Sequence, residues 1–526
     1  WVAALGSVLS GIMLALSFPG FNKSTLVFAA LVPLMFAVQS ASLKKASWLA
    51  LLSGFTFFLI SLSWLLNLIY MVDGAGLQAS AVLGYLALVF YCALYFIPFG
   101  LVVVLGTRSW VGGVFWRNIR FMFATTMVWV GSEYLRGILF TGFPWNPLGV
   151  SQYANPAVIQ VAEWGGVSLV SAYIIWMNAS IFVTLRQYTH GVRFKKYRPH
   201  FELMVGILPI ALSVAHGMST LLSQPKWFDS TTVALVQPNV PQVAKWDREK
   251  DQQIRDALED LTSAAMRLSE VDLVIWPETA VPDFIRLSSE SYSLVSRLIE
   301  GGASPLLVGS MDADISPETE RPTAYYNSSM LFGTNGELVG KYDKQHLVPF
   351  GEYVPFPKLM RKFTPIDVDF AHGSGSTILP LVGNASFSVL LCFEDTVAPL
   401  AASATRSGAR WLVNQTNDGW FDPGAQSEQH LAHAVFRCVE NRVPMARCCN
   451  TGVSCIIDAY GNISRLLEPL TAGFSTGTLS PRPVGMEPSF YTRYPDAFPK
   501  AALWAGGLSF FTFFFKRRAS LCDKDA

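Results

Sequence analysis

The chain has 526 residues, of which 51% are hydrophobic and 15% charged, with a formal net charge of +1. Soluble globular proteins carry about 25% charged residues, so a single water-soluble fold is excluded for the whole chain. The near-zero charge gives no bulk electrostatic case for nucleic acid. Charge is distributed unevenly: an apolar stretch up to about residue 225, an ordinary polar stretch of about 260 residues, then a short apolar end.

A spanning helix needs about 20 mostly apolar residues. Eight segments approach that length: 1–18, 25–40, 47–70, 78–106, 121–140, 157–185, 203–222 and 498–515. They predict a multi-pass α-helical membrane domain of about eight transmembrane helices, seven of them within 1–225. No A-x-A-like cleavage site follows the opening segment, so it reads as a span rather than a signal peptide. Basic residues in short loops set orientation. Lys44 and Lys45 follow the second span; Arg108, Arg117 and Arg120 follow the fourth. Arg186, Arg193, Lys195, Lys196 and Arg198 follow the sixth, and Lys516, Arg517 and Arg518 the eighth, whereas the intervening loops hold little beyond Lys23. This alternation predicts cytoplasmic termini, a cytoplasmic tail at 516–526 and an extracytoplasmic segment between the seventh and eighth spans. Glu133 and Arg136 share a helix face in the fifth span; a structural ion pair and a lipid-headgroup contact are both open. Thr141-Gly142-Phe143-Pro144-Trp145 then reads as a turn with interfacial aromatics.

From 229 to 482 the pattern becomes that of a soluble α/β domain. Thr231–Val236, Val271–Trp276, Pro305–Met311, Tyr325–Phe332, Phe387–Phe393, Trp411–Thr416 and Met445–Cys449 are predicted strands. Several are apolar on both faces, as in a sheet buried between layers. Asp247–Leu268 and Ser427–Asn441 are predicted amphipathic helices.

Three reactive residues stand at or just beyond strand ends, where sites assemble in α/β folds. Glu278 follows Val-Ile-Trp-Pro, Lys344 lies in Tyr-Asp-Lys-Gln-His-Leu-Val-Pro-Phe-Gly-Glu, and Cys392 closes Ser-Val-Leu-Leu. A thiol needs a base and a nearby cation to become a nucleophile. Glu278 can take the proton, and Lys344 can stabilise first the thiolate and then an oxyanion. The backbone N–H after Cys392 offers a second oxyanion donor, and Glu352 is a candidate to orient Lys344 or Glu278. Singly, each residue has a bland reading as core, cap or solvated surface; only the constellation points to chemistry. Cys438, Cys448, Cys449 and Cys455 read as buried free thiols. No C-x-x-C pair or matching histidine spacing supports a metal site, and no cofactor is expected.

In order, Trp-Pro-Glu278-Thr, Tyr-Asp-Lys344 through Gly-Glu352-Tyr-Val-Pro, and Cys392-Phe-Glu394-Asp resemble the nitrilase superfamily with its Glu-Lys-Cys triad. The predicted helices, Lys-Trp246-Asp, Thr-Gly-Phe-Pro-Trp145 and Asn417-Asp-Gly-Trp420-Phe narrow the resemblance to the apolipoprotein N-acyltransferase family. That resemblance implies an αββα sandwich at 229–482 in a bacterial inner-membrane protein. It implies transfer of an acyl chain from a phospholipid, typically the sn-1 chain of phosphatidylethanolamine, through a Cys392 thioester. The acceptor would be the α-amino group of an apolipoprotein's diacylglyceryl-cysteine.

It also makes Trp246 and Glu394 site residues, and Trp145, Asn417 and Trp420 substrate-binding candidates. The family often has tyrosine after the nucleophile, where this chain has Phe393; a backbone N–H role survives that change and a phenolic one does not. Phe350, Tyr353, Val354, Pro355, Phe356, Leu359 and Met360 form an apolar loop beside the lysine, open to reading as a membrane-dipping lid or as domain core. Competing functions are a membrane-tethered nitrilase or amidase on small amides, which would need fewer helices, and a non-catalytic transporter or receptor. A transporter usually buries polar residues at mid-membrane, whereas these spans are nearly charge-free.

Overall fold

The computed structural model describes residues 1–72, 74–108, 115–189, 201–245, 247–302, 304–364, 368–421 and 424–522. They form two compact units: 1–63 with 84–224 and 494–526, and 64–83 with 225–493.

The first unit is helical: α1 (Val2–Leu16), α2 (Val32–Val38), α3 (Leu43–Ser61), the part of α4 (Ala75–Leu94) from Gly84 on, α5 (Ile97–Arg108), α6 (Phe115–Ile138), α7 (Pro156–Ile159), α8 (Ala162–Thr189), α9 (Phe201–Leu222) and the C-terminal helix Ala497–Cys522. Small residues permit close packing. A Cβ on Gly11 would lie 2.6 Å from the Ser53 carbonyl oxygen, so α1 and α3 approach backbone to backbone.

Of the eight predicted spans, four meet the length and apolarity needed to cross a membrane among the described residues: Leu43–Ser61, Ala75–Arg108, Ala162–Tyr188 and Phe201–Leu222. Val2–Leu16 and Ser24–Val38 are apolar but shorter, and α6 carries Arg117, Arg120, Glu133 and Arg136. The expected 78–106 span is interrupted at Tyr95 and Phe96, between α4 and α5; Pro98 falls in the first turn of α5, where its missing N–H breaks no helical hydrogen bond. The expected 47–70 span stops at Ser61. Residues Ser63–Met71 instead form 3-10 turns that, from Trp64 on, belong to the second unit, where Trp64 Nε1 donates to Gln429 Oε1 (3.1 Å) and Asn67 Nδ2 to the Phe421 carbonyl (2.9 Å).

Glu133 and Arg136 serve the loop after α6. Arg136 Nη1 donates to the Phe143 and Trp145 carbonyls at 2.9 and 2.6 Å, and Glu133 Oε1 accepts from Leu148 N at 2.8 Å. They satisfy backbone groups that would otherwise be unpaired in an apolar setting, which favours the structural reading over the headgroup one.

The second unit holds β1 (Thr231–Gln237), α10 (Asp251–Leu268), β2 (Leu273–Ile275), α11 (Ser289–Gly302), β3 (Leu306–Ile315), β4 (Pro322–Phe332), β5 (Leu338–Asp343), α12 (Pro357–Met360), β6 (Phe387–Leu391), α13 (Ala398–Arg406), β7 (Trp411–Thr416), α14 (Gln426–Asn441), β8 (Met445–Cys449), β9 (Ser454–Ile457), β10 (Ile463–Leu467) and β11 (Gly473–Leu479). One sheet runs β11-β1-β2-β3-β4-β5 and the other β10-β9-β8-β7-β6. The side-chain period of two sorts each strand between two cores. Val233, Leu235, Leu273 and Ile275 face Phe387, Val389, Trp411 and Val413 across the inter-sheet core. Ala234, Val236, Val274 and Trp276 pack instead with Ile254 and Leu258 of α10 and Leu294 and Leu298 of α11. With α13 and α14 on the second sheet, this is an αββα sandwich. β1–β2, β2–β3, β6–β7 and β7–β8 pair in parallel, so their C-terminal ends come to common edges.

The sequence left out β5, β9, β10, β11, α11 and α13. β10 is only five residues long with a serine and an arginine inside it, and β11 is mostly glycine, serine and threonine, so neither has a long apolar run to mark it. It also carried the β6 strand through Phe393, whereas the strand ends at Leu391 and Cys392–Thr396 form a 3-10 turn.

Candidate active site

Glu278 leaves the end of β2 through Trp276-Pro277, and Thr279 after it has φ of +44°. The turn lies against β3 because Gly309 has no side chain: a Cβ there would stand 2.2 Å from the Pro277 carbonyl oxygen. Lys344 directly follows β5, its backbone N–H donating to the Asn327 carbonyl of β4. Cys392 directly follows β6 with φ of +50°, a left-handed conformation that costs a non-glycine residue roughly 1–3 kcal/mol. Two donors hold its carbonyl there: Asn414 Nδ2 at 3.2 Å and His430 Nε2 at 3.1 Å.

These three strand ends meet. Lys344 Nζ, in a side chain 1% exposed, lies 3.3 Å from Glu278 Oε1 and 2.9 Å from Glu352 Oε1. Asn327 Nδ2 bridges the same two carboxylate oxygens, at 2.8 Å each. The remaining Glu278 oxygen accepts from the backbone N–H of Asn417 at 3.0 Å, and that of Glu352 from Val348 N at 2.8 Å. Burial would lower the Lys344 ammonium, but the Glu352 and Glu278 carboxylates override it and hold the group above the usual lysine range.

The Cys392 thiol is coupled to the same groups. Burial and the Glu278 carboxylate push it well above its ordinary value, while Lys344 and a hydrogen bond with Thr416 pull it down. The net result is a neutral resting thiol, so ionisation must accompany proton transfer. The cluster contains what that requires: a carboxylate to receive the proton and an ammonium to offset the charge left on sulfur.

Glu394 is wholly buried and ties the lysine loop to the cysteine turn. Its oxygens accept from Gln345 N (2.7 Å), His346 N (2.9 Å), Tyr342 Oη (2.8 Å) and Leu391 N (2.8 Å). Burial pushes its carboxyl up to about 7 despite these donors. Phe393 stacks on His346 with ring centroids 5.8 Å apart.

The other expected residues divide. Asn417 is buried, its Nδ2 donating to Gln242 Oε1 at 2.7 Å and its Oδ1 accepting from Asn450 Nδ2 at 2.9 Å. It therefore braces the site instead of offering a side chain to substrate. Trp420 is 40% exposed. In the apolar loop, Val354 is buried while Phe350 and Phe356 are 49% and 75% exposed, each at positive φ, and Tyr353 is half-buried. The loop is thus anchored in the core at one residue and turned outward at two. Trp145 is 2% exposed within the helical unit and stacks against Phe143, so its indole serves packing and presents no open face. Trp246 and the Leu359 side chain lie outside the described residues. Cys438, Cys448, Cys449 and Cys455 are buried and none of them is in a disulfide.

Three contributors were absent from the sequence reading. Asn327 sits mid-strand in β4, unmarked by any motif. His430 was hidden within an amphipathic helix. Lys245 is 2% exposed and donates to the Glu278 carbonyl oxygen at 3.0 Å; its neighbour Trp246 drew attention instead.

Comparison with known proteins fits both units. The family model for the apolipoprotein N-acyltransferase N-terminal domain matches residues 10–180, and that for carbon-nitrogen hydrolase matches 232–485. The apolipoprotein N-acyltransferase of Geobacter metallireducens is 34% identical over 98% of this chain and 96% of its own. That of Brucella melitensis is 28% identical over 95% of this chain and 91% of its own. A carbon-nitrogen hydrolase from Helicobacter pylori aligns with 14% identity and a TM-score of 0.37, over 48% of this chain and 89% of its own.

Proposed function

The chain belongs to the apolipoprotein N-acyltransferase family, and from that premise we propose that it moves a phospholipid acyl chain, by way of a thioester on Cys392, to the α-amino group of an apolipoprotein's N-terminal diacylglyceryl-cysteine. It is an N-acyltransferase and a membrane enzyme. In the first half-reaction the Cys392 proton passes to Glu278 as sulfur attacks the donor ester carbonyl. Lys344 offsets the charge on sulfur and then on the tetrahedral oxygen. Collapse breaks the ester C–O bond, and the Glu278 proton goes to the departing lysophospholipid. In the second half Glu278 takes a proton from the attacking amine, an amide forms, and the thiol is restored. Glu352 orients Lys344, Glu394 braces the turn, and the N–H of Phe393 is the second oxyanion donor.

The reading is carried by one arrangement: Lys344 Nζ between the Glu278 and Glu352 carboxylates, 3.3 and 2.9 Å away, with the Cys392 thiol electrostatically coupled to Glu278 and Lys344. A thioester suits this transfer because an amine opens it readily, dividing one hard step into two. Both substrates carry acyl chains, and each CH₂ held away from water is worth about 0.8 kcal/mol, so chemistry at a membrane surface avoids exposing them. The alternation of basic loops supports eight spans, cytoplasmic termini and a catalytic unit outside the inner membrane. The outward Phe350 and Phe356 support a lid that meets acyl chains, and the 40% exposed Trp420 is a further substrate contact.

The test is intact-mass analysis after exposure to phosphatidylethanolamine. A hydroxylamine-sensitive acyl adduct on the native chain, absent from Cys392→Ser, is expected. An unmodified native chain that hydrolyses small amides would overturn the assignment.

A further inference from the structure

Lysine is almost never fully buried unless paired, yet Lys245 is 2% exposed and its side-chain hydrogen bond, among the described residues, goes to a main-chain carbonyl and not to a carboxylate. The segment that carries it is built to hold it. Val240 and Asn450 exchange two hydrogen bonds at 2.9 and 2.8 Å, and Gln242 receives Asn417 Nδ2. The Lys245 N–H closes a turn onto the Pro241 carbonyl. Asn417 in turn donates its N–H to the Glu278 carboxylate, so the loop and the base share one support.

Charge gives the second argument. Glu278, Glu352 and Lys344 together carry one negative charge in excess, enclosed away from water. Counted with Cys392, moving its proton to Glu278 leaves the total at one negative charge, now on sulfur instead of on the carboxylate. An uncompensated buried charge is costly, and a protonated Lys245 brings the cluster to neutrality both before and after the transfer.

We propose that Lys245 is a positioning residue for acyl transfer: its ammonium pins the Glu278 main chain through the carbonyl oxygen and supplies the second positive charge that keeps the enclosed cluster neutral while Cys392 is ionised. The proposal rests on the reading of Cys392 as nucleophile. The titratable groups facing Lys245 are Glu278 beyond β2 and Cys392 beyond β6, with Lys344 and Glu352 one contact further on. Burial lowers the Lys245 ammonium to about 8, with Glu278 and Cys392 pulling it back up. The charge is therefore lost within an accessible pH range, and acyl-enzyme formation should slow as it goes.

The experiment measures the rate of acyl-enzyme formation from fluorescent phosphatidylethanolamine between about pH 6 and 10, using the full chain in lipid nanodiscs. The native enzyme should lose rate with a midpoint near pH 8. Lys245→Arg should stay within a few-fold at neutral pH with its alkaline limb moved beyond the range. Lys245→Met should be slowed roughly a hundredfold with the limb abolished. If Lys245→Met acylates at the native rate, or is slowed while keeping the native limb, the role is overturned. If Lys245→Met fails to fold, Lys245→Arg decides alone: an unmoved limb refutes the proposal and a shifted one supports it. A native chain that forms no Cys392 adduct refutes the underlying acyl-transfer reading and this inference with it; a normal adduct with a Lys245-independent profile refutes this inference only.

Discussion

Two buried ionic clusters flank Cys392, and they are built differently. On one side Glu278, Lys344 and Glu352 gather around a single ammonium, with carboxylates in excess and a neutral thiol beside them. On the other, His430 lies 2.7 Å from Asp395 and 3.1 Å from Asp418, while Arg447 lies 2.8 and 3.4 Å from the same two carboxylates. Two cations there meet two anions. Asp395 and Asp418 pull the His430 imidazolium up to about 9, and His430 and Arg447 hold the Asp418 carboxyl below the usual range. Gly452 lets the backbone close over Asp418, since a Cβ would fall 2.2 Å from its Oδ2. The balanced cluster carries no group left to react; it fixes the Cys392 carbonyl through His430. The unbalanced cluster leaves one charge to be managed, which is what a site of proton transfer requires.

The comparison breaks most sharply at Glu278. Glu278→Gln keeps an acceptor for Asn327 yet removes the base, so acyl-enzyme formation followed by intact mass should fall roughly 10³- to 10⁴-fold, with thermal unfolding almost unmoved. A loss below tenfold would mean that another group takes the thiol proton. Arg447→Met should do the reverse. It strands two buried carboxylates and should cost about 3–5 kcal/mol of stability, read as a lowered unfolding midpoint with near-native turnover in whatever remains folded.

A pH series sharpens the contrast. The folded His430 sits near 9, above the unfolded value near 6.5. Its contribution is therefore full below about pH 6.5 and lost as pH rises through 9, amounting to about 3 kcal/mol. Glu394, raised to about 7, also makes stability fall with rising pH, but between about 4.5 and 7. His430→Gln should flatten the stability curve between pH 7 and 9 and leave the lower window intact; a native-like slope above pH 7 would deny His430 the charge. The smallest effect is expected at the periphery. Phe350→Ser with Phe356→Ser should leave the unfolding midpoint unchanged within about 0.5 kcal/mol, while slowing turnover of long-chain donors about tenfold. Equal turnover of long- and short-chain donors by native and variant enzymes would remove the lid.

Much of this was legible in residue order. β1 and β7 fall where runs that include apolar β-branched residues predict them, and β8 where a short, mostly apolar run does. Glu278, Lys344 and Cys392 stand out as polar groups where such runs end. Asn327 and His430 do not: one lies inside a strand and the other on a helix, and local pattern is silent about what lies across a sheet. Helix boundaries in the apolar part were hidden for a related reason. Hydropathy windows run on through Tyr95 and Phe96 and past Ser61, where backbone geometry ends a helix although apolar composition continues.

The sequence by itself determined the division into an apolar helical part and an α/β part, the strand ends that bear reactive groups, and the family. Tertiary structure alone decided which carboxylates share Lys344, that Asn327 bridges them, that Lys245 reaches the Glu278 carbonyl, and that a balanced ionic cluster holds the cysteine turn. The physical reason is range. Periodicity and turn preferences act over a few residues, whereas these contacts join positions 8 to 66 residues apart around Lys344 and 38 apart at the Cys392 carbonyl. Only the parallel order of strands in the two sheets brings them to common edges.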